Sequence, residues 1–189
     1  MKNNRKRLNN KGFTLIELLA VVVILAVVMG IAMSSVLSSM NNSRKGSLQN
    51  SAESTSQIFQ NKYLEDMVNG TSGAVFGKYD FSAASKTNVK FYPLIQDVAS
   101  DLNLSNKSYV ISTSTEATGA ATADSTKSFI AFDGEKIVTC LVAVNGGSYY
   151  VGNAAVSAEA GKEVTVLNTK VTFAKGVMFA CSNETQSWE

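Results

Sequence analysis

Phe13-Thr14-Leu15-Ile16-Glu17-Leu18-Leu19-Ala20-Val21-Val22-Val23-Ile24-Leu25-Ala26-Val27-Val28-Met29-Gly30-Ile31-Ala32-Met33 is the longest apolar stretch of this 189-residue chain, and only Thr14 and Glu17 in it are polar. As a helix rising about 1.5 Å per residue it spans roughly 31 Å, the thickness of a bilayer's hydrocarbon core. Residues 1–12 precede it with Lys2, Arg5, Lys6, Arg7 and Lys11 and no acid, a charge of +5, while the rest of the chain holds 12 basic and 15 acidic residues. A short basic leader on the N-terminal flank places that end in the cytoplasm by the positive-inside rule.

A cleaved secretory signal shares this outline. The run is long for a signal core, however, and the small-x-small site near its end, Ala32-Met33-Ser34, is weak. A plain single-pass anchor explains the length but not Glu17. The stretch Lys11-Gly12-Phe13-Thr14-Leu15-Ile16-Glu17-Leu18-Leu19 resembles the N-terminal motif of type IV pilins and their relatives. The likeness covers about the first 35 residues: a basic leader, Gly before Phe, Glu as the fifth residue after that junction, then an unbroken apolar run. It implies a leader of residues 1–12 cut between Gly12 and Phe13 by a prepilin peptidase. It further implies N-methylation of Phe13, a membrane and filament-core helix over 13–40 with Thr14 and Glu17 serving subunit assembly, and a globular head over 41–189.

Glu17 has a physical meaning of its own. The ten Leu, Ile and Val residues from Leu18 to Ile31 favour insertion by roughly 3 to 6 kcal/mol, whereas an acid at mid-helix opposes it by about 2.5–3.5 kcal/mol, and by less near an end. Insertion survives, and the intramembrane carboxylate calls for a partner. After cleavage the nearest cation at that depth is the Phe13 amine, of the same or a neighbouring subunit; the bland alternative is a Glu snorkelling at a helix end. In the related pilins this pairing is taken to set the register of an incoming subunit.

Helical spacing continues downstream. Leu37, Met40, Arg44, Leu48, Ala52, Thr55, Phe59, Tyr63 and Met67 recur three and four apart, an amphipathic stripe in place of all-round apolarity. The pattern predicts one helix from about Phe13 to Val68, stopped by Asn69-Gly70, and no heptad runs far enough for a coiled coil. The family's usual proline about twenty residues into the mature helix is missing. Gly30, Ser34-Ser35 and Ser38-Ser39 are the residues expected to loosen that region instead.

Beyond residue 70 the pattern turns mixed and then mostly β. Pro93–Leu102 reads as a short helix opened by proline. Tyr109–Ile111 reads as a strand and Thr115–Lys127 as an exposed loop. Strands are expected at Phe129–Phe132, Ile137–Val144, Ser148–Val151, Glu163–Leu167, Lys170–Phe173 and Val177–Cys181, with turns at Asp133-Gly134 and Asn145-Gly146-Gly147. The expected class is α+β, a long N-terminal helix packed through its C-terminal half on an antiparallel sheet.

Chemistry is sparse. There is no histidine, which excludes Ser-His-Asp and Cys-His catalysis and His-ligated metals, and two cysteines cannot make a Cys₄ site. Asp124, Asp133 and Glu135 fit no EF-hand spacing, so Asp133-Gly134 reads as a hairpin turn rather than a calcium loop. Lys127, Lys136, Lys162, Lys170 and Lys175 are diluted by nearby acids, and a net charge of +2 gives no case for nucleic acid. The expectation is a non-enzyme without metal, cofactor or small-molecule substrate.

The resemblance implies a subunit that self-assembles into a cell-surface filament for adhesion, motility, biofilm formation or DNA uptake. Its partners would be further copies, the cytoplasmic membrane, the peptidase and a pilus assembly machine. A pseudopilin of a secretion or competence machine is the alternative, and a membrane-anchored adhesin that never polymerises is the second. Heads of the resembling family often close their C-terminal region with one disulfide. That implies a Cys140–Cys181 bond on the oxidising side of the membrane, two separate buried thiols being the alternative.

Overall fold

A computed structural model describes residues 13–70, 75–104, 108–145, 148–149, 162–173 and 177–182. Helix α1 (Leu15–Val68) has 54 residues. It is followed by β1 (Lys90–Pro93), α2 (Gln96–Asp101), β2 (Phe129–Phe132), β3 (Ile137–Val142), β4 (Val144–Asn145), β5 (Ser148–Tyr149), β6 (Lys162–Val166), β7 (Thr169–Phe173) and β8 (Phe179–Cys181). This is an α+β arrangement. Packing divides the chain into two compact units, Met1–Met40 and Asn41–Glu189.

In the first unit α1 passes through Gly30, Ser34 and Ser39 without a break. The Ser34 hydroxyl donates to the Ile31 carbonyl at 3.1 Å, so the polar group is held against its own helix. The apolar side chains from Phe13 to Met40 are exposed all round.

In the second unit, Leu48, Ala52, Thr55 and Phe59 of α1 are buried at spacings of four, three and four, and Tyr63 continues the line half-buried. Met67, expected on the same stripe, is exposed. The helix stops just beyond it, where Gly70 takes φ +64°, the left-handed conformation that glycine adopts without a Cβ penalty.

The main sheet has the order β1-β2-β3-β8, all neighbours antiparallel. It is covered on both faces, which is why its central strands read as almost unbroken apolar runs, Phe129-Ile130-Ala131-Phe132 and Ile137-Val138-Thr139-Cys140-Leu141-Val142, with Thr139 the one polar residue. Period two sorts them. Ile130, Phe132, Ile137, Leu141 and Ala180 face Leu48, Ala52 and Phe59 of α1. Phe129, Ala131, Val138, Cys140, Val142, Phe179 and Cys181 face Val166, Val171 and Phe173 of the β6–β7 hairpin. Aromatic edges lock the helix side, with Phe59 against Phe76 at 5.0 Å and Tyr79 at 5.2 Å between ring centroids.

Hydrogen bonds fix how α1 sits on this sheet. The Ser56 hydroxyl donates to the Ile137 carbonyl at 2.6 Å, and the Ile137 N–H donates to Gln60 Oε1 at 3.2 Å. Both backbone groups of the first β3 residue are thereby satisfied by the helix.

Several sequence expectations are corrected here. Pro93 does not open a helix; it ends β1, and α2 starts at Gln96. A proline is tolerated there because β1 is an outer strand of the sheet, where a missing N–H breaks no inner ladder bond. Tyr109–Ile111 forms no regular strand: Tyr109 makes an isolated bridge to Ala143, and the Val110 N–H donates to the Val142 carbonyl. Leu167 is not in a strand. With Asn168 it makes the two-residue turn of the β6–β7 hairpin at φ +45° and +63°, as the right-handed twist of a hairpin favours. The strand expected from Ile137 to Val144 is split, β3 ending at Val142, and the last strand begins at Phe179 rather than Val177. Gly146, Gly147, Val151 and residues 183–189 lie outside the described residues.

The Thr115–Lys127 segment is largely exposed, as expected, but pinned. Ala117 is buried, and Ala120 exchanges backbone hydrogen bonds with Phe91 along the outer side of β1. Gly119 lies against the buried Tyr92, where an added Cβ would come within 2.8 Å of the ring. Gly119→Ala is therefore expected to destabilise the head by about 1–3 kcal/mol through overpacking, read as a lower denaturant midpoint at unchanged m-value.

Candidate processing and assembly site

The sequence directs attention to the start of α1. Phe13 and Thr14 precede the helix, whose first residue is Leu15. The Thr14 N–H donates to Glu17 Oε2 at 2.8 Å, and the Thr14 hydroxyl donates to the same oxygen at 2.7 Å. In return the Glu17 N–H donates to Thr14 Oγ1 at 3.3 Å. These are the reciprocal bonds of a capping box, Thr at the N-cap and Glu three residues on, and they satisfy donors that the helix itself leaves unpaired. The anionic side chain also lies at the positive end of the helix dipole.

Glu17 thus has an intramolecular partner that the sequence reading passed over in favour of the Phe13 amine. The signal was present as Thr14-Leu15-Ile16-Glu17, the Thr-x-x-Glu pattern before an apolar run. In the intact chain the Phe13 nitrogen is a peptide nitrogen and carries no charge. Gly12, on the other side of the expected cleavage point, lies outside the described residues. Around the box Phe13 is 89% exposed, and the apolar side chains that follow, Leu15 and Ile16 first, are exposed too. This part of α1 is long and apolar enough to cross a membrane.

Residues 7–33 match the family model of the prokaryotic N-terminal methylation motif. The N-terminal segment is of the type IV pilin-like prepilin type. Searches among curated proteins and among solved structures find no match. A prepilin-type segment is the substrate signature of pilins and pseudopilins alike. With the apolar helix it fits membrane anchoring and contact with a pilus assembly machinery. The motif is structural and belongs to no known enzyme family.

In the second unit Cys140 and Cys181 are direct cross-strand partners of β3 and β8 and form a disulfide, both residues fully buried. Beside them the Ser182 N–H donates to the Thr139 carbonyl at 2.9 Å, and the Thr139 N–H donates to the Ser182 hydroxyl at 3.0 Å. The cysteine pair is therefore flanked by a hydrogen-bonded pair, which makes it the closer, non-hydrogen-bonded kind of cross-strand pair, where two sulfurs can meet.

The acidic residues weighed as calcium ligands are used otherwise. Asp133 Oδ1 accepts the N–H groups of Glu135 and Lys136 at 2.9 and 2.7 Å and so builds the β2–β3 turn. Glu135 pairs with Lys86, and Asp124 with Lys127 and Thr126. Among the described residues no cluster of three or more His, Cys, Asp or Glu side chains forms a metal site. The Lys170 ammonium is likewise held by Glu163 at 2.7 Å. The phenols of Tyr79 and Tyr92 are structural donors, to the carbonyls of Pro93 and Asp80. Burial raises the Tyr79 pKa well above its ordinary value, and burial together with the Asp80 charge pushes Tyr92 up to about 12.

Proposed function

We propose that the chain is a type IV pilin, a non-enzymatic subunit that polymerises into a cell-surface filament. The observation that carries this reading is the pairing of a prepilin signature at 7–33 with a helical segment whose apolar side chains from Phe13 to Met40 are exposed on every face. So much apolar surface needs cover. A bilayer supplies it before assembly, and equivalent helices of neighbouring copies supply it afterwards.

In this reading residues 1–12 are the leader, residues 13–40 the membrane and filament core, and residues 41–189 the displayed head. A prepilin peptidase cuts between Gly12 and Phe13, and the new Phe13 amine is methylated. Glu17 then offers its carboxylate to a Phe13 ammonium at the same depth. The capping box occupies Oε2 and leaves Oε1 as the acceptor for that cation. The disulfide-closed head faces the outside.

The expected mature protein begins at Phe13, with its mass raised by one methyl group. N-terminal mass analysis of protein from cell membranes and sheared filaments checks this. An intact Met1 or a start near Ser34 would defeat the reading. Filaments extending beyond the cell surface separate a pilin from a pseudopilin, and their absence with correct processing would favour the latter.

A further inference from the structure

Asn69 and Gly70 follow directly on α1, and both are exposed. The Asn69 N–H still donates to the Glu65 carbonyl at 3.0 Å, but the Gly70 N–H reaches the Met67 carbonyl only at 3.4 Å, beyond the usual range for such a bond. Gly70 takes φ +64°, and no atom lies within 4 Å of the place a Cβ would occupy. Among the described residues nothing bonds the Asn69 side-chain amide. An asparagine followed by such an open N–H can react with its own backbone. Other asparagines of the chain are guarded against this. Asn50 and Asn61 lie inside α1, where the N–H of the next residue belongs to the helix ladder. After Asn103 the Leu104 N–H donates to the Ala99 carbonyl at 2.8 Å. Asn88 precedes the β-branched Val89 and spends its amide on the Ala83 carbonyl at 3.2 Å.

We propose that Asn69-Gly70 is a self-modification site, at which the folded protein converts Asn69 to a mixture of isoaspartate and aspartate. The Gly70 nitrogen gives up its proton and attacks the Asn69 side-chain amide carbon. A five-membered succinimide closes, and the amide nitrogen leaves with that proton as ammonia. Water then opens the ring at either carbonyl. One water is consumed and one ammonia released, nothing is oxidised or reduced, and no enzyme or cofactor takes part. The reaction needs neither leader removal nor assembly. Its product places a carboxylate at the C-terminal end of α1, where the helix dipole is negative and where Glu65 and Asp66 already stand one turn back. Isoaspartate also lengthens the backbone there by one carbon. Both changes loosen the last turn of α1, just beyond Tyr63 and its ring contact with Phe132 at 4.9 Å. Since water is the only reactant, the modified fraction records the age of the folded protein.

The test incubates the full chain in detergent at neutral and mildly alkaline pH and follows its tryptic peptides by mass against an unincubated sample. The peptide from Tyr63 to Lys78 contains Asn69 as its sole amide side chain, so a gain of one mass unit reports this residue alone. That gain is expected in the native protein, faster at the higher pH because the attacking nitrogen must lose its proton, and with isoaspartate as the larger product. In urea, Asn69 should react at close to its native rate, whereas Asn50 and Asn61 should react faster than in the folded chain. Asn69→Gln is expected to abolish the gain, since a glutamine must close a six-membered ring, and the exposed position keeps the fold intact. No mass gain in the native protein, a gain without isoaspartate, a native rate far below that in urea, or a gain that persists in Asn69→Gln overturns the inference.

Discussion

Replacing both Cys140 and Cys181 by alanine is expected to lower the stability of the head by about 4 kcal/mol and its melting temperature by about 8–16 °C. The first figure follows from the bond's sequence separation of 41 residues, a loop whose closure removes that much conformational freedom from the unfolded chain. Position makes the loss matter. β8 has three residues, lies at one end of the sheet order, and pairs with β3 alone in that sheet. Without the bond its attachment rests on the ladder to β3, the burial of Phe179 and the hydrogen bond from Gln49 Nε2 to the Cys181 carbonyl at 3.3 Å. A typical domain has a margin of only about 5–15 kcal/mol. The measurement is thermal and urea unfolding of the full chain in detergent, wild type against the double variant, with limited proteolysis to show whether the C-terminal strand is released first. A change below about 1 kcal/mol would show that the bond is not a main support of the head. Because both cysteines are fully buried, a reductant should reach the bond only through opening of the head. Reduction of the native protein should therefore accelerate steeply in denaturant.

Glu17→Gln is expected to reduce filament yield by tenfold or more while the subunit still inserts and its leader removal goes to completion. The glutamine amide oxygen can still accept the Thr14 N–H, since Gln serves at this position of a capping box as Glu does, so the helix start is retained. What it cannot offer is a negative charge to a Phe13 ammonium in an apolar surrounding. Leaving one member of a buried pair uncompensated costs about 3–5 kcal/mol, ample to shift an assembly equilibrium by more than a hundredfold. Glu17→Ala loses the charge and half of the box together and should assemble no better, its insertion and leader removal being retained. The yield of sheared filaments relative to membrane-held subunit is the readout. Wild-type yield from Glu17→Gln would remove the charge pair from the account of assembly.

The two ends of this chain were legible in the sequence to different degrees. Everything about the first 33 residues that bears on processing follows from local pattern: a basic run, Gly12-Phe13, Glu17, and apolar residues on every helical face. None of that needs a tertiary partner, because the apolar side chains from Phe13 to Met40 are exposed all round and pack against no other described part of the chain. The capping box was equally local, and only its Thr-x-x-Glu spacing had to be read. The α+β class, the extent of α1, strand β2 and the turn at Gly134 were also set by short-range signals, namely the three-four spacing of Leu48 to Phe59, the run Phe129–Phe132 and an Asp-Gly pair.

Tertiary structure decided the rest. Phe129–Phe132 and Ile137–Val142 are apolar at almost every position, so alternation within them cannot say which face meets α1. That is settled by where the helix and the β6–β7 hairpin pack. Pro93 reads locally as a helix opener; only its place at the end of an outer strand makes it compatible with β. Tyr109 and Val110 have strand-forming side chains but build no ladder: Tyr109 makes a single bridge to Ala143, and Val110 gives its N–H to Val142 at the end of β3 while its carbonyl accepts the Ser128 N–H. Above all, Cys140 and Cys181 stand 41 residues apart. Their meeting is a matter of register between β3 and β8, fixed by long-range packing that no local spacing encodes.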